Sequence, residues 1–169
     1  VITDQFEPGS TFKIVAATAA LNTGKISLND EFNCEVGKFE FDGWTISDHE
    51  KFGVLTFPQI IANSSNVGVI KIAQIIGKEP LYRLSRNYGF GTPTGISFPG
   101  ESQGILRQKK DWSKMSLASV SIGYEVGVTA LQIASAYSAI ANGGVLLKPQ
   151  IVMQIISNKG ELLFKSKPE

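Results

Sequence analysis

Apolar residues recur at helical spacing in several stretches of the 169-residue chain, and these stretches are bounded by capping residues and glycines. The first begins near Ser10, is rich in good helix formers up to Asn22, and is followed by Gly24 as a stop. The pattern predicts helices over residues 12–22, 56–63, 67–76, 79–88, 111–119 and 129–142. Helices are therefore expected to dominate the regular structure.

Capping signals place three of the predicted helix starts. Thr56 with Gln59, and Thr129 with Gln132, have the spacing of a capping box, in which two side chains satisfy free backbone N–H groups at a helix N-terminus. Asp111 can cap a further helix through its carboxylate.

Strands are predicted in two places. Aromatic residues around the Asp42-Gly43 turn predict one short hairpin, and alternating apolar residues after Gln150, on both sides of a turn at 158–160, predict a second. Residues 91–104 are rich in Gly and Pro, which favours a loop with room for one short strand. The expected class is α+β, with a compact helical body and a C-terminal β-hairpin.

Composition narrows the functional classes. The chain carries 16 Lys plus Arg against 15 Asp plus Glu, which gives no electrostatic reason to expect a nucleic-acid partner. The single cysteine, Cys34, excludes an internal disulfide and a cysteine-based zinc cluster. The apolar run 14–21 is far shorter than the roughly 20 residues that a membrane-spanning helix needs. The chain opens at Val1 without a signal-peptide pattern, so we expect a piece of a longer protein.

Ser10 and Lys13 are the first candidate catalytic pair. Residues three apart on a helix lie on the same side, and a serine hydroxyl becomes a nucleophile when a nearby lysine of lowered pKa takes its proton. Gly9 would allow close approach of an acyl carbonyl, and the Ser10 N–H can serve as half of an oxyanion hole. The alternative is structural, because Ser-x-x-Lys occurs by chance and Ser10 can simply cap the helix.

Ser64 and Asn66 form a second candidate group. Ser64 lies at a break between two apolar helices, where a side chain can point into a cleft and relay a proton between Lys13 and a leaving amine. Asn66 can hold a substrate amide with its donor and its acceptor. Ser-x-Asn also occurs at Ser27 and at Ser85, which are assigned structural roles at a turn and a helix end.

These residues resemble the motifs of a known family. Segments 6–13 and 64–68 look like the first two motifs of penicillin-binding transpeptidases, Ser-x-x-Lys and Ser-x-Asn. Further similarity is found in the segments 44–48, 89–91, 94–96, 99–101, 129–132 and 140–144. Together they resemble the class B, monofunctional branch, and the form Phe-Glu-Pro-Gly-Ser is closest to its cell-division members.

The resemblance implies a fold and an activity. It implies the mostly helical part of the penicillin-binding transpeptidase or serine β-lactamase-like fold, and the activity of a peptidoglycan D,D-transpeptidase. In that family Ser10 would form an acyl-enzyme from D-Ala-D-Ala stem peptides, with Lys13 as base, Ser64 as proton relay and Asn66 as substrate-binding amide. β-Lactams would acylate the same serine, and neither a metal ion nor an organic cofactor is implied.

The third family motif, Lys-Ser/Thr-Gly, does not occur in residues 1–169. In the family it lies further towards the C-terminus, so we expect residues 1–169 to be a partial transpeptidase domain without most of the central sheet. On its own this piece is expected to be inactive. The parent protein is expected on the outer face of the bacterial cytoplasmic membrane, anchored by an N-terminal segment and working with other cell-wall synthesis or division proteins.

Two other functions share parts of the pattern. A β-lactamase is disfavoured because the Glu-x-x-Leu-Asn pattern of class A does not fit residues 79–83, and class D enzymes carry Val where Asn66 stands. A non-catalytic penicillin sensor or scaffold would keep the same Ser, Lys and Ser-x-Asn, and only flanking domains would separate it from a transpeptidase.

The remaining chemistry-bearing residues are assigned plain roles. His49 lies in a polar loop and is expected to be solvated, and Cys34 is expected to be inert. Trp44 and the phenylalanines are expected in the core. The glycine-containing segment 121–125 is expected to line the cleft.

Overall fold

The computed structural model describes residues 1–167, and its regular structure is dominated by helices. A 3₁₀ turn over Gly9–Phe12 leads directly into the first α-helix. The α-helices are α1 (Lys13–Asn22), α2 (Phe57–Ala62), α3 (Asn66–Ile76), α4 (Lys78–Asn87), α5 (Lys114–Ser121) and α6 (Ala130–Ala141). The predicted helices at 12–22, 56–63, 67–76, 79–88 and 129–142 are confirmed to within a few residues.

Four antiparallel strand pairs accompany these helices in the described part of the chain, and no larger sheet is present there. The strands are β1 (Glu31–Asn33), β2 (Lys38–Phe41), β3 (Trp44–Ser47), β4 (Val54–Thr56), β5 (Ile105–Leu106), β6 (Val126–Gly127), β7 (Gln154–Ile156) and β8 (Leu162–Lys165). The pairs are β1 with β4, β2 with β3, β5 with β6, and β7 with β8. Both predicted hairpins, β2–β3 and β7–β8, are therefore confirmed.

Helix α3 lies at the centre of the core. Its sequence is apolar around most of its circumference, as expected for a helix covered on several sides, and it packs between α1 and α5 while α1 also contacts α4. Gly68 brings α3 close to α2, because a Cβ there would lie 2.7 Å from side-chain carbons of Ile60. Phe12 and Phe90 close the core near the start of α1, with ring centroids 5.0 Å apart.

The prediction that Asp111 caps a helix is wrong. Residues Lys109–Asp111 form a short 3₁₀ turn, and α5 begins only at Lys114, with the Ser113 hydroxyl accepting from the Ser116 N–H at 3.0 Å. The cause is Trp112, which is 3% exposed and has an extended backbone that carries its indole into the core. Its Nε1–H donates to the Arg107 carbonyl at 3.1 Å, so an α-helix that starts at Asp111 cannot continue through this residue.

The prediction that Trp44 and the phenylalanines are core residues is wrong for Trp44, and also for Phe6, Phe98 and Phe164, which are about half exposed. Phe39 and Ile46 face each other across the β2–β3 pair and pack partly buried against the core. Trp44 shares their face of the hairpin and lies beside the turn, but it is 66% exposed, whereas its cross-strand partner Phe41 packs partly buried against the core.

The Gly- and Pro-rich segment 91–104 contains no strand, and polar side chains hold it in place. The Glu101 carboxylate accepts from the Thr94 N–H at 2.8 Å and from the Gly95 N–H at 3.1 Å. Gln132, in the first turn of α6, donates from Nε2 to the carbonyls of Thr92 and Gln103, both at 2.9 Å. Among residues 1–167, no helix is both long enough and apolar enough to cross a membrane.

Gln132→Ala is predicted to destabilise the chain much more than the matched change Gln59→Ala. Both glutamines close capping boxes, but Gln132 is 1% exposed and also satisfies two carbonyls of the 91–104 loop, whereas Gln59 is exposed. We expect a loss of at least about 2 kcal/mol in the free energy of unfolding for Gln132→Ala and roughly 0.5–1 kcal/mol for Gln59→Ala. Urea denaturation of the two variants measures this difference, and equal losses would contradict it.

Candidate active site

Ser10 and Lys13 are placed together by the 3₁₀ turn at the start of α1. The Lys13 N–H donates to the Ser10 carbonyl, and side chains three residues apart in such a turn lie one above the other. The capping positions of the turn and of α1 are Pro8 and Phe12, and neither provides a side-chain cap. Ser10 is thus not a helix cap, and its side chain is exposed at the surface while that of Lys13 is buried.

Lys13 reaches from α1 to the Ser64 turn. Its Nζ donates to the Ser64 carbonyl at 2.5 Å and contacts the Ser64 hydroxyl at 3.0 Å, and the residue is only 2% exposed. Burial lowers the pKa of Lys13 to about 8, although the carboxylate of Asp48 acts in the opposite direction. An amine with a pKa near neutrality is suited to general-base work, since an appreciable fraction of it is unprotonated at physiological pH.

Ser64 lies in a left-handed backbone conformation between α2 and α3. Its φ is +53°, its N–H donates to the Ile61 carbonyl at 3.1 Å, and the Ser65 N–H donates to the Ile60 carbonyl at 3.0 Å. This is the Schellman arrangement, in which the left-handed residue is usually glycine. A serine at this position is conformationally unfavourable, and backbone strain of this kind is concentrated at functional sites.

Asp48, which follows β3, holds the start of α3. Its carboxylate accepts from the Ser65 hydroxyl at 2.7 Å, the Asn66 N–H at 2.5 Å and the Val67 N–H at 3.1 Å. Next to it, the Ser47 carbonyl accepts from Asn66 Nδ2 at 2.9 Å. Asn66 keeps its side-chain oxygen and its second amide hydrogen for other partners. The β2–β3 hairpin therefore orients the Ser64-Ser65-Asn66 segment.

Asp48 is the site residue that sequence reasoning missed. It lies in the segment 44–48 that resembles the family, but neither its spacing nor its residue type points to the start of α3, which is about 18 residues further along. Only the tertiary structure brings the two together.

The turn that carries Ser10 is also held by residues of segment 121–125 and of α6. The Gly9 N–H donates to the Gly123 carbonyl at 3.0 Å, and a Cβ at Gly123 would lie 2.0 Å from the Gly9 carbonyl oxygen. The Glu7 carboxylate accepts from the Glu125 N–H at 2.9 Å, and the Tyr137 hydroxyl of α6 donates to the Thr11 carbonyl at 2.9 Å. Segment 121–125 therefore lies directly against the Ser10 turn.

Of the two other candidates, Cys34 borders this group, since its sulfur lies 3.5 Å from the Ser65 hydroxyl. His49 is exposed and packs edge-on against Phe52, with ring centroids 5.4 Å apart. Cys34 is fully buried, and burial raises the pKa of its thiol, which favours the unreactive protonated form. Residues 1–167 contain no group of three or more His, Cys, Asp or Glu side chains arranged to hold a metal ion.

Comparison with known proteins gives the family. The model of the penicillin-binding protein transpeptidase domain matches residues 1–169, and the chain belongs to this family. The chain is 40% identical over 146 residues to the probable peptidoglycan D,D-transpeptidase PbpC of Pseudomonas aeruginosa, covering 86% of this chain and 26% of that protein. It is 36% identical over 156 residues to the stage V sporulation protein D of Bacillus subtilis, covering 89% of this chain and 24% of that protein.

Solved structures agree with this assignment. The transpeptidase domain of penicillin-binding protein 3 from Burkholderia pseudomallei superposes with a TM-score of 0.87 at 34% identity, covering 95% of this chain and 48% of that one. Penicillin-binding protein 3 of Mycobacterium tuberculosis in complex with ampicillin also gives 0.87 at 34% identity, covering 99% of this chain and 37% of that one. The α+β fold of the penicillin-binding transpeptidases is confirmed, and the chain spans about a quarter of the length of the curated relatives it matches.

Burial of Lys13 is predicted to make the stability of the protein depend on pH. The pKa of Lys13 is about 8 in the folded protein, below the ordinary 10.5. Between these two pH values Lys13 is therefore protonated in the unfolded chain but deprotonated in the folded chain. The free energy of unfolding should therefore rise with pH across this window, by up to about 3 kcal/mol from this group.

The measurement is urea denaturation of the wild type and of Lys13→Met from pH 7 to pH 10.5. The difference between the two free energies cancels the titration of the other lysines and tyrosines, and it should increase with pH in favour of the wild type. A difference that stays constant would show that Lys13 titrates normally in the folded protein.

Proposed function

We propose that this chain supplies the acylating part of a peptidoglycan D,D-transpeptidase. Its relatives carry that name or the name of penicillin-binding proteins, which supports a transpeptidase over a sensor domain or a β-lactamase. The observation that carries the proposal is the buried Lys13 amine, which contacts the Ser64 hydroxyl. Ser10 is exposed three residues before Lys13, in the 3₁₀ turn whose Ser10 carbonyl accepts from the Lys13 N–H. This arrangement contains a nucleophile, a base of lowered pKa and a second hydroxyl for proton transfer.

In the proposed reaction the Lys13 amine takes the hydroxyl proton of Ser10, and Ser10 Oγ attacks the carbonyl carbon of the penultimate D-Ala in a stem peptide. The Ser10 N–H donates to the oxyanion of the tetrahedral intermediate. As this intermediate collapses, the C–N bond breaks and the terminal D-Ala leaves as an amine, which receives its proton from Lys13 through the Ser64 hydroxyl.

The second half of the reaction reverses these roles. An amine from another stem peptide attacks the acyl-enzyme carbonyl, and its proton passes to the Ser64–Lys13 pair. The ester C–O bond to Ser10 then breaks, and Ser10 Oγ takes this proton from Lys13. Asn66 binds the substrate amide through its remaining donor and its acceptor. A β-lactam would acylate Ser10 by the same first step. The scheme uses no metal ion and no organic cofactor.

The wider setting is part of the same proposal. Residues 1–169 would form part of the transpeptidase domain, with the Lys-Ser/Thr-Gly strand supplied by other residues of the parent protein. The parent would act on the outer face of the bacterial cytoplasmic membrane, in cell division, together with other proteins of cell-wall synthesis. The names of the relatives, which are cell-wall and sporulation proteins, support this setting.

Replacing Ser10 with alanine in the full-length protein is predicted to abolish covalent labelling by a fluorescent penicillin. The fold should be unaffected, because Ser10 is exposed and caps no helix, and such a change usually alters the free energy of unfolding by less than about 0.5 kcal/mol. Ser27→Ala changes an exposed serine of a Ser-x-Asn segment outside the site, so it is the matched control and should label at the wild-type rate. Wild-type labelling of the Ser10→Ala protein would identify a different nucleophile.

Residues 1–169 alone are predicted to show little or no labelling. Ser10 and Lys13 are present, but the Lys-Ser/Thr-Gly motif is not, and removal of one oxyanion donor typically slows acyl transfer by about 10²–10³-fold. Mass spectrometry after incubation with excess penicillin measures the acylated fraction. Adding the downstream segment, on the same chain or as a separate polypeptide, should restore the reaction, whereas rapid stoichiometric acylation without it would contradict the prediction.

A further inference from the structure

Asp48 is a charged side chain beside the Ser64 turn that the reaction scheme does not use. It follows β3 at the base of the β2–β3 hairpin, and its carboxylate accepts three hydrogen bonds from the start of α3. Two of the donors are backbone N–H groups of the first helical turn, which the helix itself leaves without partners. The third is the Ser65 hydroxyl, which also caps α3 by accepting from the Gly68 N–H at 2.9 Å.

These contacts fix the segment that carries the second motif. Carboxylate hydrogen bonds to backbone N–H groups are roughly twice as strong as neutral ones, and a negative charge is favoured at a helix N-terminus. Because Ser65 and Asn66 are both held by Asp48, the position of the preceding residue, Ser64, is determined as well. Ser64 needs this support, since its left-handed backbone is unfavourable for a serine.

The charge of Asp48 also acts on Lys13. Burial lowers the pKa of this lysine, and the carboxylate partly opposes the effect. Other charged groups near the segment are already paired: Lys71 of α3 forms an ion pair of 2.6 Å with Glu35. His49, the neighbour of Asp48 in sequence, is exposed. Loss of the carboxylate would therefore move the pKa of Lys13 further down.

We propose that Asp48 is a positioning residue for acyl transfer, whose carboxylate holds Ser64 and Asn66 in place through the first turn of α3 and supplies the negative charge that acts on Lys13. It acts through these residues and does not touch the substrate. The inference rests on the proposed function of the site.

The test compares the rate of acylation by a fluorescent penicillin, from pH 6 to pH 10, in the full-length wild type and in Asp48→Asn. We expect the plateau rate of the variant to fall by about tenfold or more, because small displacements of catalytic groups can cost up to about 10²-fold. We also expect the midpoint of its pH profile to move to lower pH, since the charge that favours protonated Lys13 is gone. A purely structural role would lower the rate without moving the midpoint.

Two control variants separate charge from capping. Ser65→Ala removes one hydrogen bond to Asp48 and the cap of α3 but leaves the carboxylate, so its rate should fall while its midpoint stays at the wild-type pH. Ser113→Ala removes an equivalent cap from α5, and both its rate and its midpoint should match the wild type. Asp48→Glu keeps the charge but moves the carboxylate, so a reduced rate with a nearly unchanged midpoint is expected.

The inference is overturned if folded Asp48→Asn has the rate and the midpoint of the wild type, or if its midpoint stays in place while only the rate falls. If Asp48→Asn does not fold, Asp48→Glu decides, and a wild-type rate in that variant overturns the inference. Ser10→Ala, measured alongside, keeps the two proposals apart. If Ser10→Ala is still labelled, the proposed function is contradicted. If Ser10→Ala is not labelled but Asp48→Asn reacts with the rate and midpoint of the wild type, only the role of Asp48 is contradicted.

Discussion

The contact between the buried amine of Lys13 and the Ser64 turn is the interaction on which the arrangement of the site depends. A lysine that is 2% exposed has lost most of its hydration, and the carbonyl and hydroxyl of Ser64 replace water as its partners. The amine can be buried only because α1 packs closely on α3 and brings its first turn to the α2–α3 junction. The core therefore fixes the helices and also lowers the proton affinity of the Lys13 amine.

Two short backbone turns, one carrying Ser10 and the other Ser64, are held by contacts from several surrounding elements. The turn that carries Ser10 is held by Gly123 and by the Tyr137 hydroxyl, and the turn that carries Ser64 is held by Asp48. Each of these contacts comes from a segment distant in sequence. The side chains of the proposed reaction thus lie on turns whose backbones are held by a hairpin, a loop and a helix. Backbone held in this way can preorganise a site before substrate binds.

Features with local causes could be predicted from the sequence. The capping boxes at Thr56 and Thr129 form as expected, and Asp42-Gly43 makes the hairpin turn, because the interacting residues lie within three positions of one another. The backbone hydrogen bond from Lys13 to Ser10 has the same short-range origin. The family was also predictable, since several weak motifs occur together.

Features with long-range causes could not be predicted. The extended backbone at Trp112 results from a core contact that overrides the capping tendency of Asp111. The exposure of Trp44 depends on how the hairpin packs on the core, because its cross-strand partner Phe41 is partly buried while Trp44 is not. Asp48 contacts residues 17 to 19 positions away, and no pattern in either segment encodes that pairing.

The left-handed conformation of Ser64 has a consequence for the evolution of this fold. Glycine would occupy the position without the penalty of about 1 kcal/mol that an L-residue incurs there, so selection for thermal stability alone would favour replacing the serine. The hydroxyl that contacts Lys13 would be lost with it. A laboratory selection for robust variants of this protein should therefore retain a readout of acylation, because the most stable sequence at this turn and the reactive one are different.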